Sequence, residues 1–208
     1  QTVQEAIDYN ANGTIVLLKD ISDKLTISEG KNIVIDLGGH TITSNISAGH
    51  AGIVNAGTVV VKNGTFTHSA ADTSYYLIAN KGDMTLEKLT VIGYAPSSSM
   101  ICNGYDDVGT AKLTINGGHY EQKGEFIVLK NNLGTAVING GTFITNEGHI
   151  WANNWDKMTI NDGSFYGDFL TGAYDIDNAA TTINGGTFSC ERIVTYLGNG
   201  KTVAQTFI

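Results

Sequence analysis

Arginine is nearly missing from this chain. Arg192 stands alone, and Lys and Arg together number 12 against 20 Asp and Glu, a formal net charge of −8. Nucleic-acid binding draws on clustered cations that neutralise phosphates, so this balance excludes nucleic acid as a partner. It also weighs against a dedicated site for polyanionic sugars. Proline occurs once, at Pro96, and cysteine twice, at Cys102 and Cys190. No apolar run approaches the ~20 residues of a membrane span, so no membrane insertion is expected. Gln1 opens the chain without the charged-then-apolar pattern of a signal peptide; a secreted parent would carry its signal outside this sequence.

Glycine, by contrast, is abundant: 26 of 208 residues, beside a hydrophobic content of 41%. That is enough to bury one continuous core as a single domain, 1–208, in a β-rich and turn-rich chain. A unit recurs in which a short apolar stretch enters a small-residue turn and leaves on an aromatic or β-branched residue. The clearest copies are Leu113-Thr-Ile-Asn-Gly-Gly-His-Tyr120, Ala136-Val-Ile-Asn-Gly-Gly-Thr-Phe143, Met158-Thr-Ile-Asn-Asp-Gly-Ser-Phe165 and Thr181-Thr-Ile-Asn-Gly-Gly-Thr-Phe188. Weaker ones close on Ile42, Phe66 and Val91. The closing residues are spaced by 24, 25, 29, 23, 22 and 23 positions. A period in the twenties built from strands and Gly/Asn turns specifies a stacked solenoid, one coil per repeat. Cys102 and Cys190 then lie several coils apart, beyond the ~7 Å reach of a disulfide, and read as free thiols.

The first dozen residues break the pattern. Thr2 with Glu5 forms a capping box, and Val3, Ala6 and Ile7 form an apolar stripe. Residues 1–12 therefore read as a helix covering the open end of the first coil. Strand-period alternation follows over Thr14 to Leu18, Leu25 to Ile27 and Ile33 to Leu37, and coils occupy 13–208. From residue 53 they divide as Ile53 to Tyr76, Leu77 to Met100, Ile101 to Phe126, Ile127 to His149, Ile150 to Gly172 and Ala173 to Arg192. Short strands ending at Asn55, Asn80, Asn103, Asn153 and Asn178 stack asparagines into a ladder, and Asn116, Asn139, Asn161 and Asn184 form a second column. Loss of Asn139 is expected to strand a buried amide, at about 1–3 kcal/mol. Thr202 to Ile208 has strand character without a cap, and an open edge strand of that kind points to a protein that continues past Ile208.

The helix, the Lys31-Asn-Ile-Val-Ile-Asp-Leu-Gly-Gly-His-Thr-Ile42 segment and the Ile-Asn-Gly-Gly-Thr-Phe coils together resemble the right-handed parallel β-helices of the pectin-lyase-like superfamily. More narrowly, they resemble β-helix regions of large surface proteins of Gram-positive, often gut-dwelling, bacteria. The resemblance spans essentially the whole chain. It implies an all-β, right-handed parallel β-helix of about seven to eight coils with a short N-terminal capping helix. The implied setting is extracellular, on a cell-wall-attached parent of which this chain is a fragment. It leaves activity open, because this fold carries lyases, hydrolases and adhesins alike.

Lyases of that superfamily use Arg or Lys as base beside calcium-binding aspartates, and no basic cluster surrounds Arg192. Its hydrolases carry Asn-Thr-Asp, Asp-Asp and Gly-His-Gly on successive coils. Here Asp106-Asp107 occurs without Asn-Thr-Asp, and His40 and His119 belong to Gly-Gly-His copies of the repeat. No catalytic residue is assigned. Asp175-Ile-Asp177-Asn178 lacks a calcium loop, and His50, His68, His119 and His149 lack metal-ligand spacing, so no metal or cofactor is assigned either.

The aromatics that the repeat does not require are Tyr75, Tyr76, Tyr94, Tyr105, Trp151, Trp155, Tyr166, Phe169 and Tyr174. Aligning the coils sets Trp155-Asp156 over Leu133-Gly134, and those over the Tyr105-Asp106-Asp107 insertion of the longest coil. Tyr105, Asp106, Asp107, Leu133, Trp155 and Asp156 thus line one edge, in steps of roughly 5 Å. Aromatics ringed by Asp and Asn suit sugar stacking or a protein hot spot. The expectation is a non-catalytic binding module, monomeric in isolation. It would recognise a host macromolecule, either a glycan or a secreted glycoprotein such as an immunoglobulin. The alternative is a carbohydrate-active enzyme, a polysaccharide lyase or glycoside hydrolase, working through Asp106 and Asp107.

Overall fold

The computed structural model describes residues 2–44, 51–70, 75–94, 98–146, 149–172, 179–195 and 205–207. It is a mostly β parallel solenoid of about seven turns with one short N-terminal helix. Every strand pairing among the described residues joins a strand to its counterpart in a neighbouring coil, and each is parallel. The smaller sheet stacks Leu25–Ile27, Ile53–Asn55, Ile78–Asn80, Ser99–Asn103, Ile127–Asn131, Ile150–Asn154, Asp168–Thr171 and Ile193–Thr195 in chain order. The larger sheet includes the long strands Thr58–His68, Asp83–Gly93, Lys112–Gln122 and Thr135–Ile144.

The repeat's closing residues stand in one register column: Ile42 on Phe66, Phe66 on Val91, Val91 on Tyr120, then Phe143, Phe165 and Phe188. Neighbouring rings lie 4.8 Å (Tyr120–Phe143), 5.2 Å (Phe143–Phe165) and 4.7 Å (Phe165–Phe188) apart. Those separations are close to the strand spacing, so the sheet itself sets the stack. Trp151 and Phe169, which the repeat does not require, also belong to the core. Both are fully buried, and Trp151 stacks on Phe165 at 4.4 Å and on Phe169 at 5.3 Å. Between the two halves of each long strand the chain must turn sharply. Gly118 has φ +113°, and a Cβ there would strike the Leu89 backbone of the coil below, so only glycine fits.

The N-terminal helix, α1, spans Val3–Tyr9. It is shorter than the residues 1–12 expected, because the chain already enters a strand at Asn12–Val16. The capping box is present: Glu5 N–H donates to Thr2 Oγ1 at 3.1 Å, and Thr2 N–H to Glu5 Oε2 at 2.8 Å. Gln4 pairs with the edge strand as a backbone would, giving a hydrogen to Thr26 O at 3.1 Å and taking one from Thr26 N–H at 2.7 Å. Lys31 Nζ donates to the carbonyls of Ile7, Asp8 and Asn10 at the helix C-terminus, at 2.7–2.9 Å. Leu18, expected inside a strand, lies beyond the strand Asn12–Val16 and is exposed. Cys102 and Cys190 are both free thiols.

Candidate functional site

The site begins with the asparagine ladder, because the ladder fixes where each coil edge departs. Asn55 Nδ2 donates to Asn80 Oδ1 at 2.8 Å, Asn80 to Asn103 at 2.7 Å, Asn103 to Asn131 at 2.8 Å and Asn131 to Asn154 at 2.7 Å. Asn154 ends the series on Thr181 Oγ1 at 2.8 Å. All five asparagines are fully buried. Asn131, absent from the expected series, is the fourth rung, and Asn154, not Asn153, is the fifth. Register pairs Asn131 with Asn154 and places Asn153 beside Lys130, on the outward side of the strand. Strand parity runs with Ala152: Ala152 and Asn154 share the buried face, and Asn153 faces the other way. Trp151, also buried, departs from that alternation where the pairing with Asp168–Thr171 shifts register between Ile150 and Ala152. The second column also exists, with Asn139 donating to Asn116 at 2.8 Å, Asn161 to Asn139 at 2.7 Å and Asn184 to Asn161 at 2.8 Å. It is solvent-exposed, which corrects the expectation of a buried amide at Asn139.

The same one-residue shift moves Trp155 but not Asp156. Asn132 N–H donates to Asn103 O, and Trp155 N–H to Asn131 O, both at 2.8 Å, so Trp155 lies over Asn132. Lys157 N–H donates to Gly134 O at 3.3 Å, so Asp156 lies over Gly134 as expected. Trp155 is pinned on both sides. Asp156 N–H donates to Asn154 Oδ1 at 3.1 Å, and Asp156 Oδ2 accepts from Gly134 N–H at 2.7 Å. Two coils beneath Trp155, residues Tyr105–Asp107 form a short kinked turn in which Asp106 is not helical. Gly104, Asp106 and Asp107 adopt φ of 75°, 56° and 57°, the left-handed region that aspartate enters at less cost than most side chains. Gly104 packs so closely on the Leu133 backbone that a Cβ would not fit. Leu133 thus contributes its main chain to the edge, with its side chain half-buried.

Each carboxylate at this edge already has a partner. Asp106 pairs with Lys81 at 3.0 Å, Asp107 accepts from Asn132 Nδ2 at 2.8 Å, and Asp156 holds Gly134. Aromatic contacts join the remaining surface. Tyr75 packs on Tyr76 and Tyr76 edge-on against Tyr105, with ring centroids 6.4 Å and 5.7 Å apart. Lys130 Nζ sits 3.8 Å over the Trp155 ring, close enough for a strong cation–π contact. Burial draws the Lys130 amine below its ordinary range, and the fields of Cys102 and Asp107 partly offset this. Burial likewise pushes the neighbouring Cys102 thiol up to about 11, which leaves it an unreactive thiol at neutral pH.

The structure therefore brings Tyr105, Asp106, Asp107, Leu133, Trp155 and Asp156 to one edge, two strand spacings or about 10 Å from the first to the last. Sequence reasoning missed Lys81, Lys130 and Asn132. Lys130 had one available signal: it is the only charged residue in Ile127–Asn131 and directly precedes a ladder rung. His50, Tyr174 and the Asp175–Asn178 run lie outside the described residues. Among the described residues, no three His, Cys, Asp or Glu side chains are grouped to hold a metal. No family model matches the chain, nor does any curated protein or solved structure.

Proposed function

We propose that this domain is a non-catalytic binding module of a bacterial cell-surface protein. Its ladder-locked coil edge would recognise a host macromolecule, a glycan or a secreted glycoprotein such as an immunoglobulin. On this reading the solenoid belongs with the pectin-lyase-like β-helices of Gram-positive surface proteins, as the repeat motifs suggest. The observation that carries the reading is the state of the edge. Tyr75, Tyr105 and Trp155 are held partly exposed on a rigid column, while the carboxylates that would serve as acid and base are engaged in holding the loops. Preorganised aromatics lose little entropy on binding, whereas acid–base catalysis needs free, differently tuned carboxyls.

The test is capture of purified secretory immunoglobulins, other mucosal glycoproteins and an immobilised glycan panel by the domain, its Trp155→Ala variant and its Tyr105→Ala variant. Saturable binding weakened by both substitutions is expected. Turnover of a polysaccharide panel that vanishes in Asp106→Ala and Asp107→Ala would instead establish the enzyme reading. Binding indifferent to both aromatic substitutions would remove this edge from consideration.

A further inference from the structure

Lys130 is one of the groups at this edge whose bonding is incomplete among the described residues, alongside the buried Trp155 Nε1 and Asn153 Oδ1. Its ammonium is half-buried, yet it makes no hydrogen bond and no ion pair to any described residue; its close contact is the Trp155 ring face, which supplies no lone pair of the usual kind. A partly desolvated ammonium with open donors is costly, and an acceptor arriving from outside relieves that cost. Asp107 lies nearby, joined to Asn132 two residues along from Lys130. Its charge acts on Lys130 without an ion pair forming between them, and Asn132 donates to its Oδ1. Beside it, the Tyr105 phenol makes no hydrogen bond to a described residue, and its ring is braced against Tyr76.

An ammonium and a carboxylate that are coupled but not joined leave room for a group that both accepts and donates. A hydroxyl does both, taking a hydrogen from Lys130 and giving one to Asp107. Charge narrows the class further. An anionic ligand would meet Asp106, Asp107 and Asp156, and a cationic one would meet Lys130 and Lys81, so a neutral ligand is opposed least. The ring of Tyr105 offers an apolar face to the C–H side of such a molecule. We propose that Lys130, Asp107 and Tyr105 form a binding site for a neutral sugar residue, a ligand class that rests on the binding reading above and narrows it.

The experiment compares the 208-residue chain with Lys130→Met and Asp107→Asn. Methionine keeps the apolar stem on Trp155, and asparagine tolerates the left-handed backbone at 107. Circular dichroism and urea midpoints first establish that both variants fold as the parent does. Each protein is then titrated against immobilised neutral hexose and N-acetylhexosamine oligosaccharides, acidic oligosaccharides, and secretory immunoglobulin before and after enzymatic deglycosylation. Capture of neutral sugars, weakened roughly 10–100-fold in each variant, is expected for loss of a hydrogen bond to a charged group. Capture of acidic sugars alone, or of neutral sugars with affinity unchanged in both variants, overturns the proposal. Undiminished, Trp155-dependent capture of the deglycosylated protein also overturns it, while leaving the binding reading in place. If the parent captures nothing at all, both fall.

Discussion

The two asparagine columns allow one comparison that isolates burial from hydrogen bonding. Asn131 and Asn139 each exchange amide hydrogen bonds with the coil above and the coil below, at nearly the same distances of 2.7–2.8 Å. They differ in environment: Asn131 is fully buried, and Asn139 is exposed. Replacing Asn131 by Ala removes its donations to Asn154 Oδ1 and to the Lys157 carbonyl at 3.0 Å, and removes the acceptor used by Asn103. Asn154 Oδ1 keeps the Asp156 N–H, and Asn103 keeps the Thr135 carbonyl, so the loss is partial at both neighbours. Weighing unmade bonds at about 1–3 kcal/mol each against these surviving contacts gives roughly 2–4 kcal/mol for Asn131→Ala. At Asn139 water replaces the lost partners, and the cost falls to about 0.5–1 kcal/mol. Urea unfolding followed by far-UV circular dichroism reads both, with stability taken from the midpoint where the slope is unchanged. Equal shifts for the two substitutions would show that burial of the ladder is not what gives it strength.

Other outcomes follow from the same geometry. Phe165→Ala, which empties a fully buried place between Phe143, Trp151 and Phe188, is expected to cost about 3–5 kcal/mol in the same assay, and a loss below about 1 kcal/mol would contradict the stacked core. Burial raises the Asp168 carboxyl, but the Arg192 side chain and the Arg192 and Glu191 N–H groups more than reverse this and hold it below the ordinary range. Its contribution is present above the unfolded pKa of about 4 and is lost as pH falls through the folded value; the stability gap to Asp168→Asn should therefore close in acid, and a gap independent of pH would refute the assignment. A thiol reagent should modify half-buried Cys190 in the native protein and reach Cys102 only as urea unfolds the chain, so simultaneous labelling would contradict the buried position of Cys102.

The solenoid was legible because its signal is redundant. Ile42, Phe66, Val91, Tyr120, Phe143, Phe165 and Phe188 recur at a near-constant interval, and a wrong assignment at any one of them leaves the column intact. The capping box was legible for a different reason, since all its partners lie within one turn of helix. The edge was harder. Asn153 and Asn154 are adjacent and chemically identical, so periodicity cannot choose between them, and a slip of one residue carries Trp155 from above Leu133 to above Asn132.

Local pattern thus specified the column, its capping helix and the residue types that gather at its edge, because each depends on spacing along the chain. Three-dimensional packing decided the rest. It selected Asn154 for the buried rung, buried Trp151 and Phe169, left the Asn139 column in water and set Lys130 against Trp155. Those outcomes turn on which of two neighbouring side chains points inward, and on residues about 25 positions apart meeting across coils. Neither is a property of any single stretch of chain; both are fixed only once the strands pair and their pleats align.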